Sequence, residues 1–389
     1  MELLFLLLPV AALSGWYIGR RKAVRSRKYK EGCAPLSSDY FQGLNYLLNE
    51  QQDEALEVFI RMSEQDNETV DIQFALASLF LRRGEVDRAI RIHQNLIARP
   101  MLSHPQRKRA LYELGRDYMR AGLLDRAESL FLELTDDTLY AEQGRRQLLD
   151  IYQQEKEWDK AIAVAQRLKN KNDQTLSPVI AHFYCEQAEE AINAGEYSAA
   201  QRLLKRAVGE DRNSVRATLL EARIAERHGQ LKQAIRIYQR VESQDADYLP
   251  MVIGPLKHCY EQLGTINEYR QYLYNLSKKE ASISLVIALA RLLQGQGKEH
   301  LAIEKLLEHL QQRPSLRALD YLLELRTSHH HQGQEIDLNV LHEVTHELLA
   351  AKPVCQCSHC GFTARTLHWQ CPSCKHWGTL KPIHGIEGE

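Results

Sequence analysis

Apolar and small residues recur along the middle of the chain at helical spacing, and the pattern itself repeats. A glycine is followed five positions later by an alanine in GEVDRA (Gly84, Ala89), GLLDRA (Gly122, Ala127), GEYSAA (Gly195, Ala200), GQLKQA (Gly229, Ala234) and GKEHLA (Gly297, Ala302). Ala55 and Ala161 keep the alanine without the glycine, and Gly264 keeps the glycine with Tyr269 in the alanine's place. The steps between these eight reference positions are 34, 38, 34, 39, 34, 35 and 33 residues. The two long steps fall at loop-like inserts, one around Pro100–Pro105 and one before Pro178. A period near 34 predicts stacked helix pairs rather than an ordinary bundle.

Each position in the repeat has a mechanical reading. The glycine ends the first helix of a pair with a left-handed cap. The alanine sits where the second helix crosses the first at close range. A large apolar residue follows four later on the same face (Phe59, Phe131, Leu204, Tyr238, Leu273, Leu306). Twelve residues before the alanine stands a small residue: Gly43, Ala77, Gly115, Ala188, Ala222 or Ala290. This resembles the tetratricopeptide repeat, over residues 37–310 as about eight units, with a degenerate ninth from Pro314 to Ala350. The resemblance implies an all-α superhelix whose first helices line a concave face that holds a segment of another protein. LGRDYMRAG (Leu114–Gly122) is candidate groove lining, against the plainer reading of a solvated helix face.

The pattern changes at both ends. Leu3 to Gly19 carry no charge and would span roughly 26 Å as a helix, the short end of what a bilayer core requires. Trp16 and Tyr17 stand at one end, and the basic residues follow the run instead of preceding it. A cleaved signal peptide has the opposite order. The order here predicts an uncleaved anchor with the body kept in the cytoplasm. The expected organisation is an anchor at 1–20, a basic juxtamembrane linker at 21–36, the repeat array at 37–350 and a metal-binding domain at 351–389.

That last domain rests on Cys357-x2-Cys360-x10-Cys371-x2-Cys374. Two Cys-x-x-Cys turns let four thiolates meet tetrahedrally around one metal ion, and zinc and iron both accept such a set. A segment this short needs a metal to fold. Phe362, Trp369 and Trp377 give it something to bury. With every ligand supplied by protein, no coordination position is left for catalysis. A redox dithiol would be expected beside a βαβ pattern, which the sequence lacks. Cys355 lies two residues before the first ligand and reads as a free thiol. Cys33, Cys185 and Cys259 are isolated and form no disulfide framework.

Charge narrows the partners. Seven of the 50 Lys and Arg fall within residues 1–31, which leaves 43 basic against 49 acidic residues in the body. A mildly acidic body argues against nucleic acid as the main partner. One catalytic pattern is present: His342-Glu343-Val344-Thr345-His346 fits HExxH, the zinc-protease helix. The sequence shows no third ligand and no strand-rich catalytic domain around it. SHHHQGQ, with His329–His331, reads as a polar loop.

ELLFLLLPVAALSGWYIGRR at the start, GEVDRAIRIHQNL and LGRDYMRAGLLDRAE in the array, and CGFTARTLHWQCPSC with KPI at the end together resemble the lipopolysaccharide assembly protein B family of Gram-negative bacteria. The resemblance implies a single-pass inner-membrane protein facing the cytoplasm, with its repeats packed against a rubredoxin-type domain. It implies a non-enzymatic adaptor that helps the membrane-bound AAA+ zinc protease degrade the lipid A pathway deacetylase. It also implies contact with an inner-membrane lipopolysaccharide sensor. Cys357, Cys360, Cys371 and Cys374 carry over as metal ligands. Two other readings stay beside it: a scaffold for a lipopolysaccharide assembly or export complex with no part in proteolysis, and an enzyme built on HEVTH or on thiolate-bound iron.

Overall fold

A computed structural model describes residues 51–389 apart from 66–69, 101, 170–174, 280–281 and 328–334, together with 42, 43, 45, 46 and 49. The expected anchor, the basic linker, Cys33 and His329–His331 lie outside the described residues. Among the described residues, no helix is long and apolar enough to cross a membrane.

The repeat prediction becomes helix pairs. Gln52–Gln65 (α1) is the second helix of the first pair. Val70–Arg82 (α2) and Val86–Ile97 (α3) follow, then His104–Arg120 (α4) and Leu124–Leu134 (α5). Ala141–Glu155 (α6) and Trp158–Leu168 (α7) come next, then Ser177–Asn193 (α8) and Tyr197–Glu210 (α9). Val215–Arg227 (α10) pairs with Leu231–Gln239 (α11), which the short Val241–Gln244 (α12) extends. Leu249–Gln262 (α13) and Ile266–Ser277 (α14) precede Ile283–Gly295 (α15) and Glu299–Gln312 (α16). The degenerate ninth unit is a helix pair too, Leu316–Thr327 (α17) and Glu335–Ala351 (α18).

The reference alanines and Tyr269 are all fully buried. The six repeat glycines adopt φ between +70° and +80°. In the Ala161 unit, one of the two that lack the glycine, Lys156 takes its place with φ +58°, so the turn is kept at the cost of a left-handed non-glycine residue.

Size is matched in four of the pairs, while Ala222 with Tyr238 departs from the rule. A Cβ on Gly115 would lie 2.7 Å from the Phe131 ring, and one on Gly43 would lie 2.8 Å from Phe59. Glycine in the first helix therefore accompanies phenylalanine in the second. Where the first helix carries alanine, at 188 and 290, the second carries Leu204 and Leu306, all four buried.

The chain divides into two compact units, Met1–Ile151 and Tyr152–Glu389. In the first, one core gathers Ala55, Phe59, Leu76, Leu79, Phe80 and Ala89, and another gathers Phe74, Leu96 and Ala110. In the second, a long core runs from Val215 to Leu292, with Leu367 and Trp369 packed against it. The second unit ends in a small antiparallel sheet of Cys355–Cys357 (β1), Thr363–Ala364 (β2) and Leu380–Pro382 (β3), in the order β2-β1-β3. Cys355 pairs with Ala364 on one side and Pro382 on the other.

Candidate metal centre

The sheet holds two cysteine turns that repeat one backbone design fourteen residues apart. In the first, Cys357 N donates to Phe362 O (2.8 Å) and Gly361 N to Cys357 O (2.9 Å). In the second, Cys371 N donates to His376 O (2.8 Å) and Lys375 N to Cys371 O (2.9 Å). Gly361 and Lys375 occupy equivalent left-handed positions, at φ +77° and +61°. The imidazoles of His359 and His376, one from each turn, stack with centroids 3.8 Å apart.

This geometry brings the four predicted ligands together. Cys357 Sγ lies 3.7 Å from Cys374 Sγ, and Cys360 Sγ lies 3.7 Å from Cys371 Sγ. All four ligand atoms lie within 4.8 Å of one another. Burial raises the Cys357 thiol, but the Thr379 hydroxyl, 3.3 Å away, and the backbone N–H groups of Cys360 and His359 bring it down to about 6. Cys374 goes the other way, pushed up to about 12 by burial and by the sulfurs of Cys360, Cys371 and Cys357. Four thiolates this close repel one another, and a shared cation lets all four ionise. The donor set fits one metal ion on four thiolates, with no position left open. Cys355 is not among the four. It is buried with Leu380 and Phe362 in the small core beneath them, where burial raises its thiol. His342 and His346 lie on α18 and are likewise outside the four-sulfur group.

The knuckle's tryptophans do not bury within it. Phe362 packs in the knuckle, whereas Trp369 and Trp377 pack onto the array. Trp377 stacks on His182 of α8 at 5.2 Å and meets Phe183 and Trp158 edge-on. Its Nε1 donates to Gln153 Oε1 at 2.8 Å. Trp369 stacks on Tyr248 at 5.5 Å. Arg216 of α10 is buried, with its guanidinium 5.9 Å from both indole rings. It is held by Glu186 and Glu189, each at 2.8 Å. Burial, with the Arg216 cation beside it, pulls His182 down to about 3, so this ring is neutral at physiological pH. Gly378, at φ +64°, passes close enough that an added Cβ would lie 3.2 Å from His182 Nε2.

Polar contacts continue the docking along the last residues. Tyr248 Oη donates to Leu380 O at 3.1 Å. Lys381 Nζ reaches Asp245 at 2.9 Å and Asp247 at 2.8 Å, contacts that raise its pKa against the effect of burial. Ser282 Oγ donates to Glu389 Oε2 at 2.7 Å, and Arg317 pairs with the same carboxylate. Gln153, His182, Arg216, Ser282 and Arg317 all come from first helices or their starts. Sequence reasoning assigned none of them. Contacts such as Trp377 with Gln153 span 224 residues and leave no periodic signal.

Residues 356–382 match a family model described as a rubredoxin metal binding domain, and residues 74–142 and 191–252 match tetratricopeptide repeat models. The chain is 40% identical over 389 residues to the lipopolysaccharide assembly protein B of Escherichia coli (strain K12), covering all of both chains. It is 35% identical over 396 residues to the protein of that name in Haemophilus influenzae, covering all of this chain and 99% of that one. The chain belongs to the lipopolysaccharide assembly protein B family. Among solved structures, the C-terminal part of a TPR repeat-containing protein from Cytophaga hutchinsonii is 16% identical with a TM-score of 0.38, covering 68% of this chain and 98% of that one. In this member of the lipopolysaccharide assembly protein B family, the rubredoxin-type match begins one residue before the first ligand and ends at the last residue of β3.

Proposed function

We propose that this protein is a non-enzymatic adaptor that limits lipopolysaccharide synthesis. It presents the deacetylase of the lipid A pathway to a membrane-bound AAA+ protease, and it answers to an inner-membrane sensor of lipopolysaccharide. The relatives' shared name supports a place in lipopolysaccharide assembly. The observation that carries the adaptor reading is the docking of a metal knuckle, with no open coordination position, onto the first helices of a repeat array. Such a metal organises a surface rather than a reaction. The apolar run at Leu3–Gly19, followed by basic residues, supports an inner-membrane anchor with the body on the cytoplasmic side. An anchor confines adaptor and protease to one plane, which raises their effective concentration without new contacts.

The test is the half-life of the deacetylase in cells depleted of this protein, with wild type or Cys371→Ser/Cys374→Ser supplied back. The expected result is a several-fold longer half-life on depletion, restored by wild type and not by the cysteine variant. An unchanged half-life on depletion would remove the proteolytic role and favour a scaffold within lipopolysaccharide assembly. A form lacking residues 1–20 is expected to fold and yet leave the deacetylase long-lived. Full activity from that form would refute the tethering.

A further inference from the structure

The HEVTH segment has a partner that the sequence does not reveal. His342 and His346 stand one helical turn apart on α18, and Asp320 of α17 lies opposite both. His342 Nε2 is 3.7 Å from Asp320 Oδ1, and His346 Nδ1 is 3.6 Å from Asp320 Oδ2. One ligand atom from each of the three residues falls within 4.8 Å of the others. These separations exceed a hydrogen bond, which closes at about 2.7–3.2 Å. They sit near the edge of a coordination tetrahedron, about 3.4 Å when metal–ligand distances are about 2.0–2.2 Å.

We propose that Asp320, His342 and His346 form a second metal site, separate from the cysteine knuckle, for a borderline divalent cation of the zinc class. Imidazole and carboxylate donors suit zinc, cobalt and nickel, whereas the four-thiolate site suits softer binding. Thr345, buried on the same helix, places its hydroxyl 3.1 Å from Asp320 Oδ1, with the Leu341 and His342 carbonyls at 2.9 and 3.0 Å as the other acceptors for its one proton. When that proton turns to Asp320, the hydrogen bond from outside the ligand set fixes the carboxylate's direction. Among the described residues, Asp320 accepts no other hydrogen bond. Asp320 is 17% exposed, His342 28% and His346 71%, so the site is rooted between two helices and open on one side. That side adjoins a cavity of about 480 Å³ lined by Tyr321, Lys352 and Glu387 as well as by Asp320 and His346. Three protein ligands leave a position for water or for a donor from a bound partner. Glu343 is exposed and does not belong to the ligand group. The site would clip α18 to α17, the last helix pair before the knuckle.

The test is metal content and cobalt spectroscopy on the full-length protein with its knuckle metal in place. Zinc titration is expected to take up one further equivalent per chain, and cobalt in that equivalent should show ligand-field bands without thiolate charge transfer. His346→Ala is exposed and removable without loss of fold, and Asp320→Asn keeps the side-chain volume. Each should weaken the added equivalent at least tenfold while the knuckle metal stays. No further equivalent in wild type, or a further equivalent that survives both substitutions, would overturn the proposal. A thiolate charge-transfer band from the added cobalt would do the same, because it places the ion on cysteine.

Discussion

At the scale of single residues, size matching shapes several of the repeats, and that is why the period was legible while its compensation was not. The alanines, glycines and large residues each stand out in sequence, but only the packed pair shows that Gly115 exists for Phe131. Gly115→Ala should therefore destabilise the first unit by about 1–3 kcal/mol despite the better helix propensity of alanine. Adding Phe131→Leu, the combination that Ala188 and Leu204 already use, should recover most of the loss. A thermal melt of the two single variants and the double checks this, because coupled neighbours depart from additivity. Strictly additive losses would refute the pairing. His182 supplies a pH dependence. Its folded pKa of about 3 lies below the ordinary value of 6.5. The folded ring stays neutral while the unfolded ring takes up a proton, so stability is full above 6.5 and falls with acid down to 3. Between pH 7 and 5 the loss is about 2 kcal/mol. His182→Phe keeps the stack on Trp377 and removes the proton, so its denaturation midpoint should change less over that interval than the wild type's. Equal slopes would show that His182 already titrates in the folded state.

Between elements, what was legible and what was not divide along sequence distance. The Cys-x-x-Cys spacing gave the four ligands, because a knuckle is a local turn and its chemistry lies within a few residues. Its tryptophans read as the interior of a small domain, and they turned out to be its attachment. Trp369 finds Tyr248, and Trp377 finds His182 and Gln153, across gaps that no pattern of 34 can encode. The knuckle's own core is small, with Cys355, Phe362, Leu380 and three of the ligands, Cys357, Cys371 and Cys374, so metal and docking hold it in different ways. Trp377→Ala removes a half-buried indole and its hydrogen bond, at a cost of about 2–3 kcal/mol. The knuckle should keep its metal, since no ligand is touched, but leave the array more often. Limited trypsin digestion should then cut faster at Arg365 and Lys375, with metal content unchanged. Loss of metal in parallel with cutting would mean that docking and folding of the knuckle are one event.

For the molecule as a whole, the distinctive consequence is how the knuckle changes a repeat protein. In a plain array each helix pair contacts only its neighbours, and stability is a sum of local terms. In the second unit the knuckle and the residues after it touch Gln153, His182, Arg216, Asp245, Asp247, Ser282 and Arg317. These belong to pairs that do not all touch one another, so a single small domain cross-links several repeats. The cross-link lasts only as long as the knuckle is folded, and a segment of this size folds with its metal. Metal loss should therefore be felt far from the cysteines. Native-state hydrogen exchange on Cys371→Ser/Cys374→Ser should show protection falling by about tenfold or more in α8, α10 and α13, where local opening becomes easier. Amides of α2 to α5, none of which contributes a docked residue, serve as the internal reference and should keep their protection. A change confined to residues 351–389 would mean that the array holds its own geometry and the knuckle is a passenger. Protection lost across α8, α10 and α13 would make the metal a determinant of the face the array offers to partners, which ties the four sulfurs to binding rather than to electron transfer.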